Sequence, residues 1–279
     1  MSKVSIKELE YLASQCRRKV LRMIEAGGAG HMGGAMSCID IVTALYFYAM
    51  NVDPQNPAMP ERDRFILSAG HKCMAQYAVL AQMGFFDEKV LDTYGKLNTK
   101  IPGHPDMHKL PGVEANTGAL GHGLSIALGM ALGLRMDSLK SRVFVVMGDG
   151  ELTEGSNWEA AAAAAKYKAS NLSVFIDYNG LQISGKVKDV MDMNPLARFA
   201  AFGWSVKEIN GNSMGDIVNL INSLPLDPVK PSLIVANTTK SKGLSFAEGI
   251  ASYHYWKPNA EEMEKAITET EKKIKEAAL

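Results

Sequence analysis

The sequence predicts an α/β fold: a doubly wound, mostly parallel sheet with helices on both faces. Three observations carry that expectation. Short β-branched or aromatic runs recur at 64–68 (RFILS), 142–147 (RVFVVM), 172–177 (LSVFID), 204–209 (WSVKEI) and 232–237 (SLIVAN). They are apolar on both faces, as suits strands buried in a parallel sheet. Helical patterns separate them at 72–83, 121–136, 156–169, 194–202 and 213–224, and alternation of strand with helix is the mark of βαβ units. The strand runs also end in polar, glycine-rich turns, and open α/β sheets bind ligands beyond the carboxyl ends of their strands.

In chain order, the segment 1–27 reads as an amphipathic helix. It lacks the continuous apolar core of a signal peptide. The first strand run leads into Ala69-Gly70-His71, the second into Gly148-Asp149-Gly150-Glu151, the third into Tyr178-Asn179-Gly180 and the last into Thr238-Thr239-Lys240. Four polar turns on one sheet edge make a candidate site. The helix expected over 156–169 opens with Ser156 and carries Glu159 three residues on, the pattern of a capping box. The last segment, NAEEMEKAITETEKKIKEAA, reads as a charged helix packed on the outside.

Composition narrows the function. With 279 residues, 47% of them hydrophobic, the chain can bury a sizeable core. Lys plus Arg balance Asp plus Glu at 30 each, so nothing electrostatic favours a nucleic acid or an anionic membrane. No unbroken apolar run of membrane-spanning length is evident, and no membrane association is expected. Cys16, Cys38 and Cys73 lack metal-ligand spacing and read as reduced thiols of a cytoplasmic protein. The 16 methionines are spread along the chain as core filler.

Four of the six histidines directly follow glycine, as Gly30-His31, Gly70-His71, Gly103-His104 and Gly121-His122. A lone loop histidine is commonly just solvated. Four after glycine suggest tight turns that deliver imidazoles to a ligand. Zinc would need closer His/Cys spacing than this chain has. Asp149 lies at a strand end between two glycines, and Asn179 lies just past the next strand. Both offer hard oxygens that, with a backbone carbonyl, suit an octahedral divalent cation which keeps places for phosphate oxygens. The glycine amides and helix start nearby favour an anion. A diphosphate is the natural guest.

At this point the residues resemble a known family. Gly148-Asp149-Gly150 followed by Asn179 is similar to the thiamin-diphosphate motif, and the surrounding sequence resembles the N-terminal half of transketolase. The stretches AGHMGGAMS (29–37), LSAGHKCMAQY (67–77), IPGHPDMHKLPGVEANTGALGHGLSIALGMALG (101–133), GDGELTEGSNWEAA (148–161) and TTKSKGLSFAEG with His254 beyond it follow that family in order. The resemblance implies a thiamin-diphosphate-binding fold of the diphosphate-binding (PP) type, expected as a single domain over 1–279.

It further implies that Asp149, Asn179 and the backbone carbonyl of Leu181 hold Mg²⁺, with Ca²⁺ or Mn²⁺ as substitutes. Gly150, His71 and His254 are then expected at the diphosphate end of the cofactor, and Gly118 and Leu120 packed against it. His31, His104 and His254 are expected along the substrate channel as catalytic groups. Glu154 and Glu159 match acidic residues that link two active sites near a dimer interface, and Glu154 is counted with the cofactor site.

Departures from the family are Tyr178, in place of a first asparagine, His122, in place of a glutamine, and Tyr255, in place of a glycine. The implied reaction is ketol transfer: a two-carbon unit passes from a ketose donor to an aldose acceptor. The pyrimidine-binding and C-terminal domains of a complete transketolase have no counterpart here. A second polypeptide is therefore expected to supply them, in an α2β2 assembly whose substrates are sugars or sugar phosphates. The alternatives are one chain of another thiamin-diphosphate enzyme (a 2-oxoacid dehydrogenase E1 or a 1-deoxyxylulose-5-phosphate synthase type) and a non-catalytic cofactor-binding protein. Donor identity, whether phosphate, sulfonate or branched sugar, is not readable from these residues.

Overall fold

The computed structural model describes residues 4–278. The outermost residues of the two terminal segments, 1–3 and 279, lie outside the described residues. The chain enters through α1 (Ile6–Gly27). Ser5 caps it by accepting the Glu8 N–H at 3.2 Å, and Gly28 stops it in the left-handed region at φ 76°.

Next comes α2 (Met32–Ala44), every residue of which is buried, continued by a π-helical turn over Leu45–Ala49. The sequence does not announce this helix. Its Met-Gly-Gly-Ala-Met-Ser start reads as a loop, and a helix buried on all sides has no amphipathic period to betray it. By length and apolarity Met32–Ala49 could cross a membrane, but it is 83% buried inside the fold and is accounted for as a core helix.

The strands β1 (Arg64–Leu67), β2 (Val143–Gly148) and β3 (Leu172–Tyr178) lie side by side in chain order. Then follow a small antiparallel hairpin of β4 (Leu181–Gln182) and β5 (Gly185–Lys186), then β6 (Ser205–Asn210) and β7 (Ser232–Asn237). The main sheet has the order β1-β2-β3-β7-β6, with every pair parallel. The doubly wound parallel expectation therefore holds.

Side chains alternate across the sheet with the period of a strand. Phe65, Leu67, Phe144, Val146 and Phe175 face one core, shared with α1, α2, α3 (Cys73–Met83) and α8 (Met214–Ile221). Ile66, Val143, Val145, Met147, Val174 and Ile176 face the other, under α4 (Gly123–Met136), α5 (Gly155–Lys166) and α7 (Pro195–Phe202). The charged α9 (Ala260–Ala278) packs along α1 from outside, burying Ala266 and Thr270. All three cysteines are buried and reduced.

Two expectations change. β6 is not buried on both faces: it is the sheet edge and partly exposed. The capping box is not formed. Helix α5 begins at Gly155 after Glu154, with no side-chain cap, because the Ser156 hydroxyl donates instead to the Gly121 carbonyl at 2.9 Å. That bond ties α5 to the loop ahead of α4. The hairpin and the short α6 (Val187–Met191), which follow Asn179, were also not foreseen.

Candidate active site

The four strand-end turns do converge. A cavity of about 510 Å³ opens at the carboxyl edge of the sheet. Its walls come from His71 and Lys72 after β1, Gly148 to Glu151 after β2, Asn179 to Ser184 after β3 and Lys240 after β7. His31, His254, Gly118 and Leu120 also line it, with Thr153, Val190 and Met191. This is the placement that a parallel sheet dictates.

The histidines form one cluster. The His31 ring lies 5.4 Å from His71, 5.5 Å from His254 and 6.4 Å from His104, centroid to centroid, and His71 stacks on His254 at 5.3 Å. Three tethers set this. Gly30 and Trp256 pair through two backbone hydrogen bonds, at 3.0 and 2.9 Å, which brings the His31 and His254 segments together. The Tyr77 hydroxyl meets the Pro102 and His104 carbonyls, each at 2.9 Å, and pins the turn that carries His104. Gly118, at φ 137°, lies so close that a Cβ there would stand 2.5 Å from the His104 ring; only glycine fits. His122 stands apart, exposed at the start of α4, with Nδ1 3.3 Å from the Leu120 carbonyl.

Burial, more than any neighbouring charge, lowers the His254 imidazole to about 4. It lowers His71 further still, with the Lys72 ammonium adding to the effect, and His31 is lowered for the same first reason. All three are neutral at physiological pH, when an imidazole can both donate and accept a proton. His254 Nδ1 is buried with no hydrogen-bond partner among the described residues. A buried polar atom left unmatched beside a cavity suits a site that completes itself with a ligand.

On the opposite wall, Asp149 is 3% exposed. Its carboxylate accepts the Gly150 N–H at 2.8 Å and the Gly180 N–H at 2.6 Å, joining the turns after β2 and β3. Burial raises its pKa, while Lys72 acts to lower it. The Gly150 amide is thus spent on Asp149, and Gly150 contributes shape to the wall. Asn179 Oδ1 accepts the Leu181 N–H at 3.2 Å, and the Leu181 carbonyl accepts from the Lys240 ammonium at 3.2 Å. Asp149 carboxylate, Asn179 amide oxygen and Leu181 carbonyl form an all-oxygen set that suits a hard divalent cation. Among the described residues no trio of His, Cys, Asp or Glu makes a metal site.

Glu154 does not line the cavity; it is exposed at the start of α5, as is Glu159 within it. Four further charged groups, to which the sequence gives no individual role, belong to the site. Glu151, 2% exposed, accepts from Ser68 Oγ, Gly121 N–H at 2.9 Å and Gly148 N–H at 3.1 Å, stapling three loops. Lys240 faces the cavity, and burial first, then Lys72, lowers its ammonium to about 8. Lys72 and Asp177 form a buried ion pair at 2.6 Å. Their only signal was adjacency: each lies within two residues of a residue that the motifs single out.

Comparison with known proteins agrees with this geometry. The family profile for the transketolase thiamine diphosphate binding domain matches residues 10–273. The chain is 43% identical over 272 residues to an apulose-4-phosphate transketolase subunit from Phocaeicola vulgatus, covering 97% of this chain and 96% of that one. It is 41% identical to 6-deoxy-6-sulfo-D-fructose transketolase subunit SqwG of a Clostridium species, covering 95% and 97% respectively. The crystal structure of Campylobacter jejuni transketolase superposes with a TM-score of 0.89 at 30% identity, over 94% of this chain but 42% of that one. The chain therefore spans nearly all of its subunit relatives and under half of the solved transketolase. With its sheet, cavity and histidine cluster, the chain belongs to the transketolase family, through that family's thiamine diphosphate-binding domain.

Proposed function

We propose that this chain is the diphosphate-binding subunit of a two-subunit transketolase that moves a two-carbon ketol unit from a ketose to an aldose. The observation that carries the reading is the single cavity that joins the Asp149–Asn179–Leu181 oxygen set to the His31–His71–His254 cluster. When bound, thiamine diphosphate supplies the electron sink for breaking and making the carbon–carbon bond. Asp149, Asn179 and the Leu181 carbonyl would hold a divalent cation, Mg²⁺ in the first instance, for the diphosphate. Lys240 lies beside that carbonyl as a further positive group. Gly118 and Leu120 shape the wall against which the cofactor packs.

His31, His254 and, behind them, His104 would serve the reacting oxygens. Their imidazoles would donate to a developing alkoxide and move the proton of a sugar hydroxyl. His71, pressed on His254, fixes that ring's orientation and adjoins the diphosphate end. Glu154, exposed beyond the cavity, lies at the contact with another subunit. Tyr255 packs on His31 with centroids 4.9 Å apart and narrows the channel mouth.

The subunit names and near-complete coverage of the two relatives support a partner. In this reading residues 1–279 form one diphosphate-binding domain, and the partner carries the pyrimidine-binding and C-terminal domains in an α2β2 assembly located in the cytoplasm. The donor is a phosphorylated, sulfonated or branched ketose. Calorimetric titration of thiamine diphosphate with Mg²⁺ tests the metal assignment. Asp149→Ala is expected to weaken Mg²⁺-dependent binding by at least roughly 10- to 100-fold, the loss that follows even from changing a residue that supports a metal ligand; equal affinity in wild type and variant would overturn the assignment.

A further inference from the structure

Lys72 and Asp177 are the least accessible charged pair in the site, at 3% and 0% exposure. Folding alone gives little reason to keep them, since well-packed apolar side chains commonly serve as well as a buried ion pair. Yet the chain is built around the lysine. A Cβ on Gly34 would stand 2.9 Å from Lys72 Cγ and 3.0 Å from Cε, and a Cβ on Gly148 would stand 3.4 Å from its ammonium. Glycine at 34, on the first turn of α2, is thus the residue that lets the side chain through. Its ammonium reaches the cavity wall and also binds Asp177.

Asp177 is a hub. Oδ2 accepts from Lys72, from Ser37 Oγ at 2.5 Å and from Asn179 Nδ2 at 3.4 Å, while Oδ1 accepts from Thr238 Oγ1. Because the Asn179 amide donates its NH₂ to this carboxylate, its oxygen is turned the other way, onto the Leu181 N–H and the side where the metal set lies. Without Lys72, the unpaired Asp177 carboxylate would stand behind Asp149 as a third buried acid beside Glu151, at a cavity that has to accept an anion.

We propose that Lys72 is a charge-setting and positioning residue of this cavity: it neutralises Asp177 so that an anionic diphosphate can enter, and through Asp177 it fixes the amide of Asn179. The inference rests on the diphosphate reading given above. It separates from that reading because its signature is a difference between two probes: Mn²⁺ alone, followed by its paramagnetic resonance, and inorganic pyrophosphate with Mn²⁺, followed by calorimetry on the full chain. Lys72→Met is expected to weaken pyrophosphate binding by about tenfold or more, the scale of one unit charge at short range in a partly buried site. The same variant is expected to bind Mn²⁺ alone at least as tightly as wild type. Asp177→Asn is expected to do the reverse, weakening Mn²⁺ while holding pyrophosphate within about threefold of wild type or tightening it.

A residue that only supports the fold would move both probes together. Parallel loss of both in either variant, or no change in either, overturns the proposal, and if one variant fails to fold, the other decides. Wild-type protein that takes up neither probe would defeat the diphosphate reading itself, and the proposal with it.

Discussion

His254 combines a neutral ring, a buried Nδ1 without a partner and a stacked contact with His71. Its pKa, held near 4 by burial, lies well under that of an exposed histidine. The unfolded chain then binds more protons than the folded one between the two values, so stability falls as pH drops from about 6.5 toward 4. Denaturant unfolding is expected to show that loss, and His254→Asn to reduce its slope; an unchanged slope would place the acid sensitivity elsewhere. At the same scale, His104→Ala is expected to spare cofactor binding and slow donor cleavage roughly 10²-fold or more, the contribution of one positioned acid–base group. Single-turnover kinetics would check it, and unchanged turnover would return His104 to a passive loop position. The meeting of Asp149 and Asn179 on one cavity was legible from spacing, because both lie just past the ends of neighbouring strand runs. Lys72 and Asp177 were not: which lysine meets which carboxylate inside a fold is set by packing, and linear distance does not encode it.

Among the elements, the five main-sheet strands and most of the helices could be read from apolar runs and the helical patterns between them. Helix α2 could not. Its burial on every side erased the amphipathic stripe, and its two glycines, which would cost an exposed helix about 1 kcal/mol each relative to alanine, serve here as clearance. A Cβ on Gly33 would come within 2.7 Å of the Tyr253 carbonyl oxygen and 3.1 Å of Lys240, and one on Gly34 would meet Lys72. The Ser156 capping box failed for a related reason: its hydroxyl is committed to another loop at Gly121.

Loop-to-loop fit is equally tight at Gly123, where a Cβ would lie 2.3 Å from Ser68 Oγ and 2.6 Å from Ser68 Cα. Gly123→Ala is expected to destabilise the chain by about 1–3 kcal/mol through overpacking, measured as a shift in urea midpoint. An unchanged midpoint would mean that the loop after β1 yields freely. Tyr77→Phe removes the donor that pins the His104 turn. It is expected to cost about 1–3 kcal/mol, the penalty for carbonyls left without a partner. His104→Ala should leave that stability term in place, so the two variants separate turn-holding from chemistry.

For the whole molecule, a sheet with two cores supports one carboxyl edge on which four turns meet, and the family's sequence features fall on those turns. The exposed apolar residues Ile183, Val190 and Met191 rim the cavity on the β4–β5 hairpin and α6. Their exposure suits the contact surface that the two-subunit reading requires. The most direct measurement is ketol transfer with thiamine diphosphate and Mg²⁺, using a panel of phosphorylated, sulfonated and branched ketose donors with ribose 5-phosphate as acceptor. This chain would be assayed alone and together with a partner chain carrying the pyrimidine-binding domain. Transfer is expected only in the mixture and is expected to vanish with Asp149→Ala. Full activity of the chain alone, or cofactor-loaded mixtures that transfer nothing from any donor in the panel, would contradict a divided transketolase.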